Sequence, residues 1–340
     1  NRTTNWTWTA DDNVAQVTAV NAETGNQTTA YGYGTTPATS DVARNDVLSS
    51  VTYADGGTLG YLVNRQSHVK QFTDQNGTVH AYAFDLIGRR TQDAVTALGT
   101  GIDGTVQRIG VTYEVRGLVQ NVTSYSSAIV GQGTVLIDVQ RVYGTHQELT
   151  AEYQEHNGAV NTSSSVDVQY GYDFTTTTIR PTRLLYPNGR DLVFDYGNSG
   201  ETDDALSRIA RILDQGANIL ATYTRLGLAT IVQVNSPQPQ MAWSLINGTG
   251  SDPYTGLDQF NRVADSRWFN TSTSTDLDRI QHGYDLASNR IWRKNTVAEA
   301  AGVYLDELYA YDGLYRLARL DRGQLNSSSD GIVSGSENFA

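Results

Sequence analysis

The clearest structural signal in the chain is the string Tyr309-Ala310-Tyr311-Asp312-Gly313-Leu314-Tyr315-Arg316-Leu317. Its aromatic residues alternate with a small one, and a period of two places them on one face of a strand. An Asp and a Gly then supply turn chemistry, and Arg-Leu begins the returning strand. The string therefore predicts a β-hairpin.

Similar strings recur along the whole chain, and such repeats determine architecture. The copies include Tyr82-Ala83-Phe84-Asp85, Tyr170-Gly171-Tyr172-Asp173 and Tyr284-Asp285. The repeat-defining residues are Tyr82, Asp85, Arg89, Tyr172, Asp173, Tyr284, Asp285, Arg290, Tyr311, Asp312 and Arg316. Adjacent copies are 21 to 27 residues apart, so one unit corresponds to a pair of strands.

The turns between strands have two recognisable signals. Asp55-Gly56, Asn76-Gly77 and Asn188-Gly189 predict two-residue hairpin turns, because these dipeptides tolerate positive φ. The repeated Asp is expected to cap its turn. The repeated Arg is expected either to stack on a neighbouring Tyr or to pair with the Asp of the next unit.

The predicted fold class is all-β: serial β-hairpins in one sheet. Apolar spacing typical of a helix is not sustained anywhere, and the best short candidate is Val297 to Ala301. We expect one continuous β-domain over residues 1–325. Residues 326–340, rich in Ser and Gly, are expected to form a loop that leads into a further strand.

The Tyr-Asp strings resemble the RHS or YD-repeat family, whose members include bacterial RHS proteins, the BC shells of toxin complexes and the teneurins. The resemblance covers most of the chain and is best at residues 82–90, 284–291 and 309–317. It implies a spiralling hairpin sheet, either a β-solenoid or part of a hollow shell. Family members of this kind enclose a toxic domain or present a cell-surface contact.

Two departures limit what the resemblance implies. Complete toxin shells are longer and end in a core segment with an Asp-Pro motif and cleaving aspartates. The single Asp-Pro of this chain, Asp252-Pro253, lies mid-chain. Self-cleavage and a toxin domain are therefore not carried over.

Composition excludes several classes of partner. The 340 residues carry a formal net charge of −12 without a Lys/Arg cluster, so nucleic acid is not an expected partner. No apolar stretch approaches the roughly 20 residues of a membrane span, so membrane insertion is not expected. The chain has no cysteine and hence no disulfide.

Nine Asn-X-Ser/Thr sequons point to an extracellular or cell-surface, secreted and glycosylated protein. They are Asn1, Asn5, Asn26, Asn76, Asn121, Asn161, Asn247, Asn270 and Asn326. The alternative is that these tripeptides are favourable turn-then-strand sequences.

Catalytic and metal-binding motifs are weak. The five histidines have no partner at metal-site spacing, and Gly99 to Gly104 lacks the helix that a dinucleotide fingerprint needs. The carboxylate pairs Asp11-Asp12 and Asp203-Asp204 are interpreted as turn acids, and Asp276-Leu277-Asp278 lacks the further oxygens of a calcium site. We expect no enzyme activity, cofactor or metal.

Two aromatic segments outside the repeats, Trp268-Phe269-Asn270 and Trp6-Thr7-Trp8, would be the first places to look for a glycan-binding strip. Most tyrosines, by contrast, are expected in the cross-strand ladder.

Three functions remain open. The main hypothesis is a non-enzymatic bacterial scaffold that self-associates head to tail through its end strands into an extracellular filament or surface layer. The first alternative is a wall segment of an RHS-type shell that encapsulates a toxin or other cargo. The second is a carbohydrate-binding surface adhesin.

Overall fold

The computed structural model describes residues 3–21, 23, 25–176, 178–215, 218–247 and 253–339. The chain divides into two compact units, Asn1–Gln169 and Tyr170–Ala340. Asn1 and Asp252, which the sequence analysis singled out, lie outside the described residues.

Strands dominate both units. The first thirteen are β1 (Thr3–Trp8), β2 (Val14–Val20), β3 (Gln27–Thr35), β4 (Arg44–Thr52), β5 (Thr58–Val63), β6 (Val69–Thr73), β7 (Val79–Phe84), β8 (Arg90–Ala97), β9 (Arg108–Tyr113), β10 (Val119–Tyr125), β11 (Val135–Tyr143), β12 (Leu149–Glu155) and β13 (Val166–Asp173). The next six are β14 (Arg180–Leu185), β15 (Asp191–Asp195), β16 (Arg211–Asp214), β17 (Asn218–Leu226), β18 (Thr230–Ser236) and β19 (Met241–Ser244). The last six are β20 (Asp265–Asn270), β21 (Asp276–Tyr284), β22 (Arg290–Asn295), β23 (Asp306–Tyr311), β24 (Leu317–Leu325) and β25 (Ile332–Phe339).

Three short helices interrupt the strands of the described chain: α1 (Pro37–Ser40), α2 (Thr202–Ala205) and α3 (Thr296–Ala300). The third overlaps the helix candidate of the sequence, and the Asn295 side chain caps it by accepting a hydrogen bond from the Ala298 N–H at 2.9 Å. No helix in the described ranges has the length and apolar character needed to cross a bilayer.

Strands that follow one another in the sequence pair antiparallel, which confirms the all-β fold class and the serial hairpins. From β1 to β13, and again from β14 to β25, each strand pairs with the next one along the chain. The hairpins carry the Tyr-Asp strings at their turns, as the resemblance to RHS repeats implies.

The two-residue turn prediction was wrong. In the turn 53–57, the Tyr53 N–H donates to the Gly57 carbonyl and the Gly56 N–H donates to the Tyr53 carbonyl, which makes a three-residue loop. Only Gly56 in this loop has positive φ, at 85°. The turns 74–78 and 186–190 close in the same way. In a three-residue loop only the last residue, here Gly, adopts the left-handed conformation. The Asp or Asn before it therefore does not need a positive φ.

Register gives the hairpin sheet two different faces, illustrated by strands β5 to β8. Tyr61 lies opposite Phe72 and Phe72 lies opposite His80, so these rings share one face. Ala81 and Ala94 are opposite each other on the other face. We call the first the aromatic face. Aromatic and small residues alternate in the repeat because each strand presents both faces.

Few hydrophobic side chains are fully buried in either unit of the described chain. Nine hydrophobic residues there are buried: Val51, Val63, Ala94, Ala151, Tyr196, Val232, Ala242, Leu245 and Leu325. Most other strand residues are half-buried. Cross-strand and hairpin-to-hairpin contacts therefore contribute much of the packing.

The segment after β24 contains both a turn and a strand. The Asn326 N–H donates to the Gly331 carbonyl at 2.9 Å, and β25 then pairs with β24.

Candidate functional site: the Asp-Arg turns and an aromatic groove

The repeated Asp closes its own turn. In the turn 85–89, one Asp85 carboxylate oxygen accepts hydrogen bonds from the Ile87 and Arg89 N–H groups at 3.1 and 2.9 Å. The other oxygen accepts from Arg89 Nε at 2.6 Å. Asp258 with Arg262 and Asp312 with Arg316 repeat this geometry. The cap thus uses both oxygens of one carboxylate.

These bonds favour the ionised carboxylate. Hydrogen bonds from the Arg316 N–H and from its side chain hold the pKa of Asp312 below its ordinary value. The expected ion pair with the Asp of the next repeat is wrong for these turns: each Arg pairs with the Asp of its own turn.

The same arginines reach the next hairpin through other contacts. The Arg89 guanidinium lies 4.1 Å from the centre of the Tyr113 ring, which confirms the predicted stacking. Arg262 lies 4.6 Å from the centre of the Tyr284 ring, and its Nη1 donates to the Asp285 carbonyl at 3.0 Å. Each of these arginines therefore joins two successive hairpins.

Tyrosine hydroxyls form a second link between hairpins. The hydroxyl of a Tyr at or near the end of one strand donates to a backbone carbonyl at or near the start of an earlier strand. The pairs, at 2.7–3.0 Å, are Tyr33 to Val14, Tyr113 to Arg90, Tyr143 to Val119, Tyr196 to Pro181, Tyr284 to Val263 and Tyr311 to Arg290. These tyrosines are thus ladder residues, as expected.

One repeat-defining residue was assigned the wrong role. In the turn 285–289, Asn289 and not Arg290 occupies the position of the paired Arg: its side-chain amide donates to Asp285 at 2.8 Å. Arg290 begins β22, and its carbonyl accepts the Tyr311 hydroxyl. The residue that pairs with Asp285 is therefore one position earlier in the sequence than the Arg assigned from the repeat.

The repeat changes between the turns 64–68 and 85–89. His68 stands where the turns 85–89, 258–262 and 312–316 have the paired Arg, and its ring centre is 5.0 Å from that of Phe84. Phe84 stands where β9, β11, β21 and β23 end in Tyr, and it has no hydroxyl to donate. The arginine and tyrosine links are both replaced here.

A groove of about 420 Å³ lies at this altered position on the aromatic face. It is open to solvent and lined by Tyr61, His68, Val69, Phe72, Tyr82, Phe84 and Arg90. The ring centres of Tyr61 and Phe72 are 5.4 Å apart. Its volume falls in the range typical of small-molecule sites.

Polar groups surround the aromatic floor. The Arg90 guanidinium lies 5.3 Å from the centre of the Tyr82 ring, and no carboxylate of the described residues forms an ion pair with it. The Nδ1 atom of His68 is buried without a hydrogen-bond partner in the same part of the chain. Beside the groove, His80 Nδ1 lies 2.7 Å from Asp93.

Sequence reasoning missed this site. His80 and Asp93 are 13 residues apart, and only the β7–β8 register brings them together. A detectable signal was the presence of His68 and Phe84 at repeat positions that carry Arg and Tyr in several other hairpins.

The two tryptophan segments proposed as glycan-binding strips lie in different surroundings. Trp6 and Trp8 are exposed on β1, with ring centres 6.4 Å apart and an interplanar angle of 21°. Trp268 is 41% exposed and lies opposite Trp243, whose Nε1 donates to Ser266 at 2.8 Å. Neither strip contributes to the groove.

The described sequon asparagines fall into two groups. Asn5, Asn26, Asn76 and Asn161 are exposed, whereas Asn121, Asn247, Asn270 and Asn326 are half-buried. Side-chain amides are engaged in both groups: that of half-buried Asn326 donates to Asp330 at 2.7 Å, and that of exposed Asn76 donates to the Thr100 carbonyl at 2.9 Å. Glycosylation remains a prediction, and its best-placed sites are the exposed group.

Of the two carboxylate pairs of the sequence, Asp11-Asp12 is exposed and Asp203-Asp204 has ion-pair partners. Asp203 pairs with Arg208 at 2.6 Å, and Asp204 pairs with Arg180 at 2.8 Å. Asp276 pairs with Arg267. Within the described ranges, no group of three or more His, Asp or Glu is arranged to hold a metal ion.

The comparisons with known proteins give only distant likenesses. Neither protein-family models nor curated proteins match the chain. Among solved structures, it is similar to a Tc holotoxin pore of Photorhabdus luminescens, with a TM-score of 0.48 and 12% identity over 94% of this chain. It is also similar to crystal structures of TcdB2-TccC3 and TcdB2-TccC3-Cdc42, with TM-scores of 0.48 and 0.49 and 12% identity. The chain spans 16–17% of those chains.

Proposed function

We propose that the chain is a non-catalytic wall segment of a larger RHS-type β-shell. The observation that carries the proposal is the exposure of apolar side chains at the turns: both margins of each unit carry them, and at one margin they form a row that includes completely exposed residues. Leu86 and Val115, at the turns after β7 and β9, are fully exposed in the first unit. Phe260, Leu286 and Leu314, at the turns before β20, β22 and β24, are 60%, 99% and 72% exposed in the second.

These residues share a margin because alternate turns of an antiparallel meander lie at the same end of the strands. A row of exposed apolar side chains is informative, since such patches mark contact surfaces. A fibre that grows by strand addition would use the sheet edges and leave the turns in water. A wall built from adjacent coils would cover the turns, so the row favours the shell over the fibre.

The test is assembly of variants at this margin. In shells that contain this segment, Leu286→Asp and Leu314→Asp should reduce the yield of closed particles seen by electron microscopy, while circular dichroism stays unchanged. Ile231→Asp is the matched control, because Ile231 is 36% exposed and lies within strand β18 of the same unit rather than in a turn. Filaments, or closed particles formed equally by all three variants, would contradict the proposal.

Enclosure can be tested separately because the chain has no cysteine. Ile137 and Val142 are each 38% exposed and lie five residues apart on opposite faces of β11. In assembled particles of Ile137→Cys and Val142→Cys, a small maleimide should label both sites, but a bulky polymer-linked maleimide only one. Equal labelling of both sites by the bulky reagent would argue against a shell.

A further inference from the structure

We propose that the groove formed by Tyr61, Phe72, Tyr82 and Arg90 binds a carboxylate-bearing sugar residue of a glycan. The proposal is independent of whether the chain forms a shell, because all groove residues lie within the first unit.

The floor of the groove suits a ring with one apolar face. Tyr61 lies opposite Phe72 across β5 and β6, and Tyr82 follows on β7, so aromatic surface extends across three strands. The C–H groups of a pyranose can lie on such rings and remove apolar surface from water. Because the groove is open, the hydroxyl groups of the sugar would remain solvated. An apolar peptide side chain would need a more enclosed pocket.

The charge at the rim selects an acidic sugar. Most arginines described in this acidic chain pair with a carboxylate, for example Arg89 with Asp85. Arg90 instead lies over the Tyr82 ring, where its guanidinium retains donors for a carboxylate. His68, whose Nδ1 is buried without a hydrogen-bond partner, is a second polar residue of the lining.

The local sequence supports a role other than packing. In the regular units Arg stacks on Tyr and the Tyr hydroxyl donates to a carbonyl, which holds adjacent hairpins together. Between β6 and β7 the pair is His68 and Phe84, and the groove lies at this position.

Isothermal titration calorimetry on the full chain would test the proposal with trigalacturonate, a glucuronate-containing tetrasaccharide and sialyllactose. At least one should bind saturably. For trigalacturonate, its methyl ester is the neutral control and should bind about fivefold more weakly, because it lacks the charge that Arg90 recognises. Binding of none of the three by the folded protein at millimolar ligand would overturn the proposal.

Variants locate the site. For whichever acidic ligand binds, Tyr82→Leu should weaken binding about three- to tenfold through loss of the aromatic contact. Arg90→Gln should reduce binding to the level of a neutral analogue and leave the neutral analogue unaffected. Trp268→Ala is the matched control and should bind normally. Loss of binding in Trp268→Ala, or unchanged binding in both groove variants, would overturn the assignment.

Discussion

The Arg262 guanidinium lies 4.6 Å from the centre of the Tyr284 ring, and the Tyr284 hydroxyl donates to the carbonyl of Val263, the residue after Arg262. Two neighbouring residues of one hairpin therefore hold the same Tyr of the next. Such links connect successive hairpins that local turn chemistry would leave independent.

A double-mutant cycle should detect this link. Arg262→Met and Tyr284→Leu, alone and combined, are expected to show a coupling of about 0.5–1 kcal/mol in urea unfolding. Arg316→Met with Tyr284→Leu is the control, because Arg316 belongs to the turn 312–316 and is 73% exposed at its side chain. Additive effects for Arg262 and Tyr284 would show that the contact is geometrically close but energetically neutral.

Removing single tyrosine hydroxyls should weaken the hairpin ladder. Tyr113→Phe and Tyr284→Phe each lose one hydrogen bond to a backbone carbonyl, and the free energy of unfolding should fall by about 1 kcal/mol. Tyr315→Phe serves as the control, because Tyr315 is 66% exposed at a turn. An equal effect at Tyr315 would argue against the ladder role.

Asp306 should be the most sensitive buried carboxylate. It has no exposed surface, and its two oxygens accept the Asn295 and Leu325 N–H groups at 2.9 and 3.1 Å. Asp306→Ala leaves both donors buried and should cost about 2–5 kcal/mol. Asp306→Asn keeps one acceptor and should cost less. Thermal unfolding measures both, with the exposed Asp55→Ala as reference; a harmless Asp306→Ala would contradict this account.

His282 should make stability depend on mildly acidic pH. Burial, followed by the nearby charges of Arg290 and Arg293, lowers its pKa to about 4, whereas an unfolded His titrates near about 6.5. Between these values the unfolded chain binds the proton and the folded chain does not. Stability should therefore decline as pH falls from about 6.5 to about 4.

Urea unfolding across that pH range measures the effect. His282→Gln should give a shallower decline than the parent chain, and His156→Gln, at an exposed position, should not. An identical slope for His282→Gln would show that other groups dominate the acid response.

The sequence shows some of the groove residues as members of the repeat but does not show that they line a groove. Tyr82 was recognised as a repeat residue, and the departure of Phe84 from Tyr was readable beside it. Their arrangement with Tyr61 and Arg90 was not, because a one-residue change of register would move a whole row of side chains to the opposite face. The tryptophan strips were easier to see and lie elsewhere.

The sequence alone determined the properties that depend on neighbouring residues. Alternation around Tyr309 and Tyr311 specified a strand, and Asp312 four residues before Arg316 specified a capped turn, because these interactions close within one hairpin. Tertiary structure decided the pairings across strands and hairpins: Arg262 with Tyr284, His80 with Asp93, and Asp306 with Leu325. These depend on register and on how each hairpin docks on the next, which the spacing of residues along the chain does not specify.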